Sequence, residues 1–185
     1  VKNIINTVAL EVKEVLEKVD SNEAIRLAEE IERVNRIFIA GTGRSGLIGK
    51  VVAMRLMHSG YPVYVVGETI TPSIGSDDLL LIISGSGSTS SLINYAKRAK
   101  EIEATVALVT TNRDSKIGSI SDYLIIIPAA TKKRLESEPT TAQPLGNQFD
   151  QSAHLLLDAV VIYLLNNNPD RNSHTSLEQK HTNLE

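Results

Sequence analysis

A chain of 185 residues, 42% of them apolar, has the material for one substantial core and reads as one domain. Nineteen basic against twenty-two acidic side chains leave a formal charge of −3, so no diffuse positive field exists to hold nucleic acid or an anionic membrane, and an anionic ligand must be gripped locally. Cysteine is absent, which excludes disulfides, zinc–thiolate sites and thiol nucleophiles; with neither a signal-peptide pattern nor a membrane-length apolar run, a cytoplasmic protein is expected.

Ile4, Ile5, Val8, Val12, Val15, Leu16 and Val19 fall on one stripe, the spacing of an amphipathic helix over residues 1–19. Asp20 followed by Glu23 resembles a capping box, and Ala24, Ile25, Leu27, Ala28, Ile31 and Val34 give a second helix its apolar face. From Arg36 onward, short β-rich runs at 37–40, 63–66, 79–83, 105–110 and 123–127 alternate with helical segments, which predicts a parallel sheet built from βαβ units. Leu79 to Ile83 and Tyr123 to Ile127 are continuously apolar, as strands covered on both faces are.

Pro128 closes the last strand, and residues 129–146, rich in Thr, Lys, Glu and Pro, read as a loop. A long helix then runs to about Asn166, apolar on nearly every side from Leu155 to Leu165 except at Asp158. Such a helix must be covered all round, and a subunit interface, shared with the N-terminal helix, is the expectation in so small a chain. Asn166 to Glu185 lacks periodicity and reads as a structureless tail. The expected organisation is a single domain over 1–185, with N-terminal helices at 1–34, an α/β core and long helix at 35–167, and a tail at 168–185.

Two glycine-rich turns, each between a strand and a helix, carry the chemistry: Gly41-Thr-Gly-Arg-Ser-Gly46 and Ser84-Gly-Ser-Gly-Ser-Thr89. A turn of this kind presents unpaired backbone N–H groups and the positive end of a helix dipole to a ligand above it. In the second, Gly85 and Gly87 permit close approach while Ser84, Ser86, Ser88 and Thr89 offer hydroxyls, a phosphate cradle that needs no lysine. A plain serine-rich helix cap has the same composition. The first turn reads G-x-G-x-x-G, and Glu68 follows roughly 20 residues on, where a dinucleotide fold keeps its ribose-binding carboxylate. Against a dinucleotide stand the polar side chains at Thr42, Arg44 and Ser45, and a second hydroxyl-rich loop that such a fold does not require. Gly43, Arg44 and Ser45 are therefore read as contacts to sugar hydroxyls or to a developing oxyanion.

With these segments, Ala53-Met-Arg-Leu-Met-His58, Val66-Gly-Glu-Thr-Ile-Thr-Pro72, Gln143-Pro-Leu-Gly146 and the terminal His181-Thr-Asn-Leu-Glu185, the chain resembles the sugar isomerase (SIS) domains, and within them the 6-phospho-3-hexuloisomerase family. The resemblance implies a flavodoxin-like three-layer α/β/α sandwich with a five-stranded parallel sheet. It implies a cytoplasmic homotetramer that interconverts 3-hexulose 6-phosphate and fructose 6-phosphate through a cis-enediol, without cofactor or metal, in the ribulose monophosphate route of formaldehyde assimilation. Sedoheptulose 7-phosphate is an alternative substrate, and a non-catalytic sugar-phosphate sensor an alternative function.

The family places a glutamate in a Phe-Glu-Gln context before the long helix, where this chain has Phe149-Asp150-Gln151. Asp150 is thus the first choice for the catalytic base, with Glu68 and His181 in reserve, and a first-turn helix acid is the bland reading of Asp150. His181 sits in a terminus that the family shares, which implies that it folds over an active site, its own or a neighbour's. His58 and His154 read as packing or surface residues, His174 as solvated, Arg55 with Asp158 as an ion pair, and Asp77 and Asp78 as residues that precede a strand without making a metal site.

Overall fold

The computed structural model describes residues 1–183. Two helices, α1 (Lys2–Leu16) and α2 (Ser21–Arg33), lead into five parallel strands, β1 (Ile37–Gly41), β2 (Val63–Val65), β3 (Leu79–Ile83), β4 (Thr105–Thr110) and β5 (Tyr123–Ile126). Helix α3 (Gly43–His58) connects β1 to β2, α4 (Ser90–Glu101) connects β3 to β4, and α5 (Asn147–Asn167) and α6 (His174–Lys180) follow the sheet. The strand order is β2-β1-β3-β4-β5, the doubly wound flavodoxin-like arrangement.

Strand side chains alternate between faces, and the core divides accordingly. Ile37, Ile39, Leu79, Leu81, Ile83, Ala107 and Val109 pack with α1, α2, α3 and α5 on one face. Their neighbours Phe38, Ala40, Leu80, Ile82, Val106 and Leu108 pack with Leu92, Ala96 and Ala99 of α4 on the other. Both faces are covered, so β3 is buried at all five positions and its sequence shows no alternation.

The capping expectation at Asp20 is half met. Asp20 Oδ1 accepts from the Asn22 N–H at 2.9 Å, but the buried Glu23 turns away from the cap, accepting from the Ile126 N–H at 2.8 Å and pairing with Arg113. Glu23 therefore ties α2 to the open edge of the sheet beside β5. Helix α5 lays Phe149, Ala153, Leu157, Val160, Val161 and Leu164 into the core, and Asp158 accepts from Arg55 Nε of α3 at 2.8 Å. Its other side keeps Leu155, Ile162 and Tyr163 exposed.

The tail departs from expectation. α6 is a helix with Ser173 as its N-cap, the Ser173 hydroxyl accepting from the Ser176 N–H at 3.1 Å, and Leu177 packs against the main core. Arg171 sits 4.3 Å above the Tyr61 ring and donates to the Ser59 carbonyl. A seven-residue helix is too short to show a period, and tertiary contacts rather than propensity hold it. The His174 side chain and the terminal Leu184 and Glu185 lie outside the described residues.

Candidate active site

In an open parallel sheet the chain leaves successive strands toward opposite faces at one point, and a crevice opens there beyond the strands' carboxyl ends. Here that point lies between β1, whose helix α3 packs on one face, and β3, whose helix α4 packs on the other. A cleft of about 330 Å³ occupies it, walled by the turns after β1, β3, β4 and β5 and by the start of α5.

The first wall is the turn into α3. Gly41 and Gly46 approach so closely that a Cβ on either would come within 2.9 Å of the other's backbone. The chain reverses there and sets Arg44 and Ser45 in the first turn of α3 at the cleft. Their partner is not solvent. Arg44 Nε donates to Asp150 Oδ2 at 2.7 Å and Ser45 Oγ donates to Asp150 Oδ1 at 2.9 Å. Asp150, 6% exposed, thus joins the first turn of α5 to the first turn of α3. The sequence assigned Arg44 and Ser45 to the sugar; both line the cleft and also bond the candidate base, Arg44 across 106 positions in a contact that no local pattern announces. An ionised carboxylate has about four acceptor positions, so two remain for a substrate proton or hydroxyl.

The second wall is the turn from β3 to α4. The Gly87 N–H donates to the Ser84 carbonyl at 3.1 Å, and the Gly85 carbonyl accepts from Thr110 Oγ1, Thr111 Oγ1 and the Thr111 N–H. Ser84, Gly85, Ser86, Ser88 and Thr89 line the cleft, whereas Gly87 lies behind them and shapes the turn. With φ at +56° and an ideal Cβ position 2.1 Å from Ser115 Oγ, residue 87 accepts glycine alone. The first-turn N–H groups of α4, which no intrahelical carbonyl serves, sit at the same end.

A third wall went unrecognised in the sequence. Thr111 and Asn112 after β4, and Thr131, Lys132, Lys133, Leu135 and Glu138 after β5, also line the cleft. The segment 129–146 is irregular yet firmly held. Glu138 accepts from the Thr131 N–H at 2.9 Å, from Thr131 Oγ1 at 2.6 Å and from the Leu135 N–H. Glu11 of α1 accepts from Thr141 Oγ1 at 2.5 Å, the Ala142 N–H at 2.7 Å and Gln143 Nε2 at 3.0 Å. Gln143 Oε1 in turn accepts from Asn147 Nδ2 in the first turn of α5. Burial pushes both carboxyls up, but hydrogen bonds and the charge of Arg134 outweigh it and hold Glu11 and Glu138 below the ordinary value. A depressed carboxyl stabilises the fold above its unfolded pKa. Both staples are therefore at full strength above about pH 5 and are lost as pH falls through the lowered values.

Two candidates stand outside this cleft. Glu68 Oε1 lies 2.6 Å from Lys50 Nζ, both half-exposed. The His181 ring stacks on His58 with centroids 5.0 Å apart, at the far end of α3 and roughly 20 Å along the helix from Arg44. Burial, then the neighbouring His181 and Arg55, lower the His58 pKa. Asp78 is buried and structural, accepting from Arg36 at 2.6 Å and from the Gly75 N–H at 2.7 Å. Among the described residues no group of three His, Asp or Glu side chains is placed to hold a metal ion, and no helix is long and apolar enough to cross a membrane.

Residues 30–145 match the SIS domain family. The chain belongs to that family. It is 43% identical over 147 residues to the 3-hexulose-6-phosphate isomerase of Bacillus subtilis, 80% of each chain, and 40% identical over 190 residues to that of Mycobacterium gastri, covering all of this chain and 92% of the other. The crystal structure of a Methanococcus jannaschii protein, from which a molecular function of 3-hexulose-6-phosphate isomerase has been inferred, superposes with a TM-score of 0.82. That protein is 33% identical, with 98% of both chains covered. The five strands and both glycine turns lie within the matched residues, and the SIS match ends at 145, just short of the helix that carries Asp150.

Proposed function

We propose that this SIS protein is a sugar phosphate isomerase that interconverts 3-hexulose 6-phosphate and fructose 6-phosphate. The reading rests on one observation: an almost wholly buried carboxylate, Asp150, is fixed by two hydrogen bonds at the wall of the same cleft that the Ser84 to Thr89 turn lines. The turn receives the phosphate through hydroxyls and helix N–H groups. The carboxylate removes the proton from C2 of the 3-ketosugar, giving a cis-enediol across C2 and C3. The proton returns at C3 while the O2 proton passes to O3. Arg44, held against Asp150, keeps a positive charge beside the developing oxyanion. All bonding changes occur within the sugar, so the reaction draws on no redox cofactor. Mixing the protein with synthetic 3-hexulose 6-phosphate yields fructose 6-phosphate if the reading holds; binding of fructose 6-phosphate without turnover makes the protein a sensor instead.

The protein acts as a cytoplasmic homo-oligomer, a tetramer, in the ribulose monophosphate route. Apolar side chains support assembly: Ile4 and Ile5 of α1 are 64% and 60% exposed beside Leu155 of α5, a face too apolar for a solvated surface. Glu68 and His181, which do not line the cleft of their own chain, become the acid–base partners of a neighbour's cleft. A mixture of the inactive variants Asp150→Asn and His181→Ala, unfolded and reassembled together, is expected to regain turnover that neither has alone. Light scattering on the same sample gives the subunit number. Absence of recovery in mixed oligomers removes His181 from the neighbour's site.

A further inference from the structure

The charges that line the cleft are Arg44, Lys132 and Lys133 against Glu138 and Asp150, three cations and two carboxylates, which leaves one net positive charge for a dianionic ligand. Arg44 is already committed to Asp150. Among the described residues neither Lys132 nor Lys133 has an ion-pair partner, although both lie beside the cleft in an otherwise well-bonded segment. Without them the lining would carry one net negative charge and repel a sugar phosphate.

The backbone that carries these lysines is fixed from two sides. The Glu138 carboxylate accepts from Thr131 and Leu135, which bracket them, and the Lys133 N–H donates to Thr131 Oγ1 at 3.1 Å. Arg134, the third cation of the run, does not face the ligand: it donates to the Gln143 carbonyl, and Gln143 is itself anchored by Glu11. Three consecutive basic residues are thereby sorted, two toward the cleft and one into the 129–146 segment itself.

We infer that Lys132 and Lys133 are substrate-binding residues, the mobile cations that neutralise the sugar phosphate dianion from the segment after β5, in the same cleft as the Ser84 to Thr89 turn, and that Glu138 is the positioning residue that presents them. The inference rests on the sugar phosphate reading of the cleft. It assigns the lysines to binding and not to proton transfer. An ammonium on a four-carbon stem follows the phosphate as a point charge and adapts to substrate entry and release, whereas a cradle of backbone N–H groups is rigid.

The test uses fructose 6-phosphate in titration calorimetry, with turnover of 3-hexulose 6-phosphate measured in parallel. Replacing both lysines (Lys132→Ala with Lys133→Ala) is expected to weaken fructose 6-phosphate binding and raise KM by about 30-fold or more, with kcat within about threefold of wild type, since two charge-assisted contacts are lost and the chemistry is untouched. The residual binding should depend less steeply on salt, and the Lys132→Arg, Lys133→Arg chain should recover most of the affinity because charge alone is required. Glu138→Gln should raise KM and leave kcat nearly unchanged. Unaltered binding by the double alanine chain overturns the inference even if the wild type turns over. A wild type that binds fructose 6-phosphate but never turns over leaves the lysine assignment standing and overturns the isomerase reading, and a kcat loss exceeding the KM rise moves the lysines into the chemistry.

Discussion

Asp150→Asn is expected to lower turnover of 3-hexulose 6-phosphate by about 10²–10⁴-fold while fructose 6-phosphate affinity changes less than about threefold, because general-base catalysis contributes that much. The amide is isosteric and its oxygen still accepts from Ser45 or Arg44, so the wall of the cleft persists without a proton acceptor. Comparable loss of affinity and rate would show that the Asp150 to Arg44 contact shapes the cleft instead of reacting in it. Asp150→Glu carries the complementary expectation. The added methylene restores the family's side chain, moves the carboxylate farther from the α5 backbone, and should retain turnover.

Gly87→Ala is the second large effect. The left-handed backbone costs an L-residue about 1–2 kcal/mol, and displacing Ser115, whose Oγ and Cβ lie 2.1 and 2.6 Å from the added carbon, adds about 1–3 kcal/mol. The sum, roughly 2–5 kcal/mol, lowers the melting temperature by about 4–20 °C at the 2–4 °C per kcal/mol usual for this size. Since the Gly87 N–H closes the turn onto Ser84, fructose 6-phosphate affinity should fall with it. A second substitution, Ser115→Gly, should recover part of both losses by clearing the space. If it recovers neither, the strain lies in the dihedral angle and not in the contact.

What was legible in the sequence follows the range of the interaction that creates it. The strands and α3 to α5 were visible because burial writes a continuous or periodic apolar pattern into consecutive residues, and the glycine turns because a strand, a tight reversal and a helix are neighbours in the chain. Asp150, Arg44 and Ser45 were each singled out, but their union was not, since it depends on α3 and α5 packing side by side. Lys132, Lys133 and Glu138 were passed over as loop because their order comes from carboxylate staples, which leave no period. Glu23 read as a capping residue because the sequence shows its neighbours and not the sheet edge to which it reaches. His181 and Glu68 are placed within one chain at contacts to His58 and Lys50 that spacing could not disclose.

The bonds from Glu11 to Thr141, Ala142 and Gln143 join positions 130 to 132 residues apart. Closing so long a loop carries an entropic cost that earlier, more local pairings such as α3 on β1 do not meet. On the ribosome, the Glu11 carboxylate of the first helix has none of these donors to engage until residues 141–143 have been made. The segment 129–146 can therefore be stapled to α1 only after the five strands have been made, and α5, which covers one face of the sheet, comes later still. A cleft lined by Lys132, Lys133, Glu138 and Asp150 is thus complete only when the segment after β5 and the start of α5 have joined the sheet.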